Sequence, residues 1–177
     1  MKKFAMAAAT AALLLSVSTG ALAATGLGSV TSMSGSAATA DKAGSVTVNT
    51  TMCALELDDE GKIVSVSFDI AQNKIGFDAA GALTTDLAAE HPTKKELKEG
   101  YGMKAATSIG KEWYEQAEAL EAWCVGKTVA EVVGMPTYDK GDGHHTQFPD
   151  DVDLKSGCTI DVGSFLAAIQ KAADNAK

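Results

Sequence analysis

Two β-rich runs on either side of an acidic, glycine-containing turn constrain the fold of this chain more than any other feature. Val46, Val48 and Thr50 alternate with polar residues, and a second run covers Met52 to Leu57. After Asp58-Asp59-Glu60-Gly61-Lys62 come Ile63, Val64, Val66 and Phe68. Alternation puts the apolar side chains on one face of a strand, and the acidic Gly turn reverses the chain. The stretch from Ser45 to Ile70 therefore reads as a β-hairpin. Ile75 and Phe77 extend its second strand, Asp78 to Gly81 is a further turn, and Leu83 to Thr85 is a short strand.

Helical patterns follow. His91-Pro92-Thr93 marks a break, and Thr93 with Glu96 fits a capping box opening a short helix over Lys94 to Lys98. From Ile109 to Val125, Trp113, Ala117, Leu120 and Cys124 share one helical face. Glu112, Glu115, Glu118 and Glu121 fall largely elsewhere, and Gly126 ends the helix. Thr128 caps another short helix reaching Val133, which Pro136 closes. Tyr138 to Asp151, rich in Gly, Asp and His, reads as an exposed loop. Lys155 to Ile160 reads as a short strand or extended approach. Asp161 to Ala173 is the last helix, with Phe165, Leu166, Ile169 and Ala172 on its apolar face. Strands first and helices after predict an α+β fold: a small antiparallel or mixed sheet packed against helices.

Before the hairpin, Lys2 and Lys3 lead an apolar stretch from Phe4 to Val17, and Ala21-Leu22-Ala23 is a small-x-small cleavage site. Residues 1–23 are thus expected to be a signal peptide, delivering the protein outside the cytoplasm as a secreted, periplasmic or cell-surface species. The apolar stretch is too short for a good membrane span, so stable membrane insertion is not expected. Residues 24–44, mostly Gly, Ser, Thr and Ala, read as a flexible linker, leaving 45–177 as the domain. The formal net charge of −8 becomes −10 when Lys2 and Lys3 leave with the leader. Without a basic stripe, such a surface repels phosphate backbones and argues against nucleic-acid binding. The three cysteines, Cys53, Cys124 and Cys158, permit at most one disulfide, in any of three pairings.

The chemistry concentrates in Asp153-Leu154-Lys155-Ser156-Gly157-Cys158-Thr159, just before the last helix. Gly157 allows close backbone approach, Ser156 offers a hydroxyl, and a helix N-terminus near Asp161 favours an anion. Here the chain resembles the FMN-binding domain family, whose motif is Asp-x-x-Ser/Thr-Gly-Ala-Thr/Ser. Asp153, Ser156, Gly157 and Thr159 match it, and Cys158 stands where the family usually has Ala. The strand-turn-strand from Ala54 to Val66 and the stretch from Gly163 to Ala168 extend the resemblance. The middle, Lys94 to Thr137, carries no motif of the family, and its opening Tyr/Gly motif is missing.

The resemblance implies FMN joined by a phosphodiester to Thr159, with Asp153, Ser156, Gly157 and Cys158 around it. It also implies a flavin transferase for maturation, a membrane redox partner, and a redox carrier more than a stand-alone catalyst. Trp113, Tyr114, Trp123 and Met103 are candidate neighbours for the isoalloxazine. The competing reading is an extracytoplasmic binding module of the cell envelope without flavin, in which Ser-Gly-x-Thr is ordinary turn and cap chemistry. His144-His145 among Asp139, Asp142 and Asp150 reads as a solvated loop more than a metal site. Asp58-Asp59-Glu60 lacks the calcium-loop pattern.

Overall fold

The computed structural model describes residues 24–143 and 145–177. Three long strands, β1 (Ala24–Ser36), β2 (Gly44–Leu57) and β3 (Ile63–Phe77), form an antiparallel sheet in the order β1-β2-β3. The β2–β3 hairpin is the one expected from the alternation. Its turn is held by Asp58, whose Oδ1 accepts the backbone N–H groups of Glu60 (2.9 Å) and Lys62 (2.8 Å). Gly61 takes a φ of +74° there, which a residue with a β-carbon adopts only under strain. Asp78 repeats the device after β3, accepting from Ala80 and Ala82. Phe77 then bridges to Leu83.

The helices are α1 (Lys94–Leu97), α2 (Trp113–Cys124), α3 (Val129–Val133) and α4 (Gly163–Asp174). Thr93 and Glu96 close the expected capping box on α1, and Thr128 and Glu131 close another on α3. The expected stripe of α2, Trp113, Ala117, Leu120 and Cys124, is buried, as is that of α4, Phe165, Leu166, Ile169 and Ala172. These stripes meet Cys53, Leu55, Val66 and Phe68 of the sheet in one core. Phe165 sits at its centre, with ring centroids 5.1 Å from Phe68 and 6.0 Å from Trp113. Each large apolar side chain fully buried there contributes about 1.5–3 kcal/mol. The result is an α+β domain: an antiparallel sheet with helices packed against it.

Ala24–Ser36 is not a linker. It is the edge strand β1, paired with β2 from Ala24↔Leu57 to Ser36↔Ser45. Gly26 and Gly28 face α4, where a β-carbon on either would overlap the carbonyl oxygen of Ala172 or Ala168. The strand needs few apolar side chains because the backbone of α4 fills the space they would occupy. Its outer edge is tied down by the same helix and the residues that follow it. Lys171 Nζ donates to Ser29 O (3.0 Å) and Asn175 Nδ2 to Leu27 O (3.1 Å). Thr25 and Lys177 exchange two backbone hydrogen bonds of 3.1 Å. The leader expected over residues 1–23 lies outside the described residues. Among the described residues, no helix is long and apolar enough to cross a membrane.

Two smaller segments also depart from expectation. Within Tyr138 to Asp151 a short pair, β4 (Thr137–Tyr138) and β5 (Phe148–Pro149), buries Phe148 and Pro149. Residues 152–157 form turns and not a strand. Leu154 O accepts from both Gly157 N and Cys158 N, each at 2.8 Å, which coils the segment instead of extending it.

Candidate functional site

Thr159 follows that coil and precedes α4, half-buried beside α2. Gln116 of α2, with no exposed surface, reaches it. Gln116 Oε1 accepts from Thr159 N (2.9 Å) and from Thr159 Oγ1 (3.2 Å). Gln116 Nε2 donates to Lys111 O (3.1 Å) and lies 4.0 Å from Met103 Sδ. The amide can be oriented only one way. Lys111 O accepts and never donates, and Thr159 N–H donates and never accepts, so the two ends of the amide cannot be exchanged. A buried glutamine left without these partners would cost about 1–3 kcal/mol. Gln116 is thus committed to Thr159.

The start of α2 is fixed by a second buried polar residue. Glu112 forms a capping box with Glu115, and its Oε2 also accepts Met103 N (2.7 Å). This ties the 98–106 turns to the helix and sets Tyr101 and Met103 beside Trp113. The Tyr101 and Trp113 rings meet edge-on at 6.5 Å.

Thr159 opens onto a cleft of about 790 Å³. Trp113, Tyr101, Met103 and Phe165 line it, as do Tyr138 and Phe148 of the β4–β5 pair. The latter two rings stack at 5.5 Å. Lys94 and Lys140 bring positive charge. Lys94 Nζ lies 4.7 Å from the Tyr101 ring centroid, and Lys140 Nζ lies 4.0 Å from that of Phe148. A volume of 300–1,000 Å³ with aromatic walls and a few polar groups is the usual form of a cofactor or small-molecule site.

Of the five residues the motif implicates, only Thr159 lines this cleft. Asp153 and Ser156 are exposed and lie outside it. Cys158 is buried in the core, where loss of solvent pushes its thiol up to about 11. Gly157 is needed for packing: a β-carbon there would come within 2.9 Å of Ala119 Cβ on α2. The phosphate-approach role expected for this glycine is replaced by helix contact.

The expected anion site at the last helix also changes. The helix begins at Gly163, and the Asp161 carboxylate already accepts Gly163 N (2.9 Å) and Gln147 N (3.0 Å). Positive charge in the cleft therefore comes from the two lysines.

Of the proposed ring neighbours, Trp113 and Met103 line the cleft, whereas Tyr114 and Trp123 do not. The Tyr114 hydroxyl donates to Glu99 Oε1 (3.0 Å), which raises the phenol; the Glu99 carboxyl is lowered by a hydrogen bond from its own backbone and then by the one from Tyr114. Trp123 Nε1 donates to Asp151 Oδ1 (3.2 Å), and its ring lies under Lys127. Among the described residues no three His, Cys, Asp or Glu side chains gather as a metal site. His145 Nδ1 pairs with Asp142 Oδ2 at 2.8 Å, and Asp58 serves its own turn.

Part of the chain is similar to a known reductase. Over 96 residues it is 40% identical to a chlorophenol reductase of Desulfitobacterium hafniense. The match takes in 48% of this chain and 29% of that protein, so the chain spans less than a third of its relative's length. The homology is partial, and it is to a redox protein. No family model matches the chain. No solved structure matches it.

Proposed function

We propose that this domain carries FMN, joined by a phosphodiester to Thr159 and seated in the adjoining cleft, and that it acts as an exported electron-transfer protein. The observation that carries the reading is the position of Thr159: it alone of the motif opens onto a cleft with aromatic walls and two lysines. The lining offers apolar rings for an isoalloxazine, two ammonium groups for an anion and a hydroxyl for the link, beside the carboxylates of Asp142 and Asp161. When bound, FMN would supply the redox chemistry, and the protein's share would be to hold the cofactor and tune its potential. The partial homology to a reductase supports a redox role. The leader pattern of residues 1–23 supports export, and with it maturation by a flavin transferase and exchange with a membrane redox partner.

The test is the intact mass of the protein produced by cells with an active flavin transferase, beside Thr159→Ala. The expected result is a wild-type mass raised by FMN less one water, with no such rise in the variant. An unmodified wild-type mass, from cells that flavinylate another acceptor, would overturn the reading.

A second reading, an envelope binding module without flavin, draws on Gly157 packing against Ala119 and on Asp153 and Ser156 standing outside the cleft. It expects Thr159→Ala to leave cofactor content and function unchanged.

A further inference from the structure

The hydrogen bonds of Thr159 say more than its position does. Thr159 lines the cleft, while both its N–H and its hydroxyl donate to one acceptor, Gln116 Oε1. That acceptor belongs to a side chain without exposed surface, fixed at its other end by Lys111 O. The hydroxyl hydrogen thereby points to Gln116, and both lone pairs of Oγ1 are left to react.

We propose that Gln116 is a positioning residue that presents the Thr159 hydroxyl for phosphoryl transfer. The inference rests on the flavin reading above. In the step it serves, Thr159 Oγ1 forms a P–O bond to the flavin phosphorus of an activated flavin phosphoanhydride. The anhydride P–O bond breaks and its outer phosphate group leaves; as the new P–O bond forms, the hydroxyl hydrogen leaves Gln116 Oε1 and passes to a base of the transferase. No electrons are exchanged. An amide carbonyl is too weakly basic to take that proton, so Gln116 contributes orientation alone, holding the threonine in one rotamer against the lost entropy of a free hydroxyl. After transfer the bond from Thr159 N remains and keeps the esterified residue in place.

The experiment follows the rate of adduct formation by intact mass, in the full chain co-expressed with a flavin transferase, alongside thermal unfolding. Gln116→Met keeps the length and removes the acceptor. Gln116→Glu restores it: burial favours the neutral carboxyl, which can donate to Lys111 O and accept from Thr159 as the amide does. Leu120→Ala, on the same buried face of α2, weakens the fold without touching Thr159.

The expected result is labelling slowed on the order of 10- to 100-fold in Gln116→Met, the scale of a misplaced reacting group. Gln116→Glu and the folded fraction of Leu120→Ala should stay near the wild-type rate. If Gln116→Met does not fold, Gln116→Asn, which withdraws the carbonyl by one methylene, should be slow in the same way. Labelling of either variant at the wild-type rate would overturn the proposal. So would a Leu120→Ala protein slowed as much as Gln116→Met, because the effect would then belong to fold stability. A wild-type chain that takes no label beside a labelled control would instead overturn the flavin reading itself.

Discussion

Ala24–Ser36 and Asp153–Thr159 are both poor in apolar side chains, and each contains a glycine whose missing β-carbon makes room for a helix. In β1 the neighbour is the backbone of α4, at Gly26 and Gly28. In the C-terminal segment it is one methyl group, that of Ala119. A helix backbone cannot move aside without losing its own hydrogen bonds, whereas a methyl can shift by a few tenths of an ångström. The first segment is therefore held rigidly by shape. The second is held by hydrogen bonds, those of Leu154 O and Gln116 Oε1, together with the buried side chains of Leu154 and Cys158. Low apolar content thus describes neither flexibility nor function. What matters is what fills the space beside the glycine.

The largest test of this contrast is Gly28→Val. It should cost about 3 kcal/mol or more by urea unfolding, because the added carbons meet Ala168 O and the turn behind it. A midpoint equal to wild type would mean that β1 does not pack on α4.

The next concerns the thiols beside the two glycines. Cys53 is the register partner of Gly28, and Cys158 follows Gly157. Burial, aided by Cys124 and Glu121, pushes Cys53 up to about 12, and burial raises Cys124 to about 12 and Cys158 to about 11. Their folded values exceed the ordinary 9.0, so the unfolded chain releases thiol protons first as pH rises. The stabilisation is fully present below about pH 9 and falls above it by about 1.4 kcal/mol per pH unit for each thiol, until the folded values are reached. Unfolding midpoints measured from pH 8 to 11 should trace this decline, and alkylation at pH 8 should need denaturant. Rapid native labelling of any of the three would place that thiol nearer solvent.

Gly157→Ala should cost about 1–2 kcal/mol. Adding Ala119→Gly should recover part of that loss beyond the intrinsic cost of a helical glycine, read as a coupling in a double-mutant cycle. Strict additivity would break the proposed contact. The smallest effect belongs to Thr159→Ala. It removes one hydrogen bond to Gln116 and leaves the backbone one, for about 1 kcal/mol by thermal unfolding. A collapse of stability would show that Thr159 serves the fold more than the cleft.

Much of the fold was legible wherever local chemistry decides the structure. The turn at Asp58–Gly61, the Thr93–Glu96 capping box and the buried faces of α2 and α4 all follow from short-range rules. β1 was not, because strand patterns are recognised by large alternating side chains and its packing surface is glycine. The coil at 152–157 was missed because one carbonyl, Leu154 O, accepts two donors that a strand would have sent outward. At the site, Thr159 was legible through its motif and Trp113 through its helical face. Gln116 was not singled out, although it sits three residues after Trp113 on the same stripe. A polar residue on a buried face needs a partner, and that was the available signal. Tyr101, Lys94 and Lys140 carry no local mark, since only tertiary packing brings them to the cleft.

The side chains of α4 that bond to β1 have a consequence for how the protein meets copies of itself. An open strand edge is a template on which another chain can add. Here both outward-facing groups of Thr25, and the carbonyls of Leu27 and Ser29, are already taken by Lys177, Asn175 and Lys171. Over this stretch the helix and the residues just after it occupy part of the edge without continuing the sheet, which hinders growth by edge-to-edge recognition there.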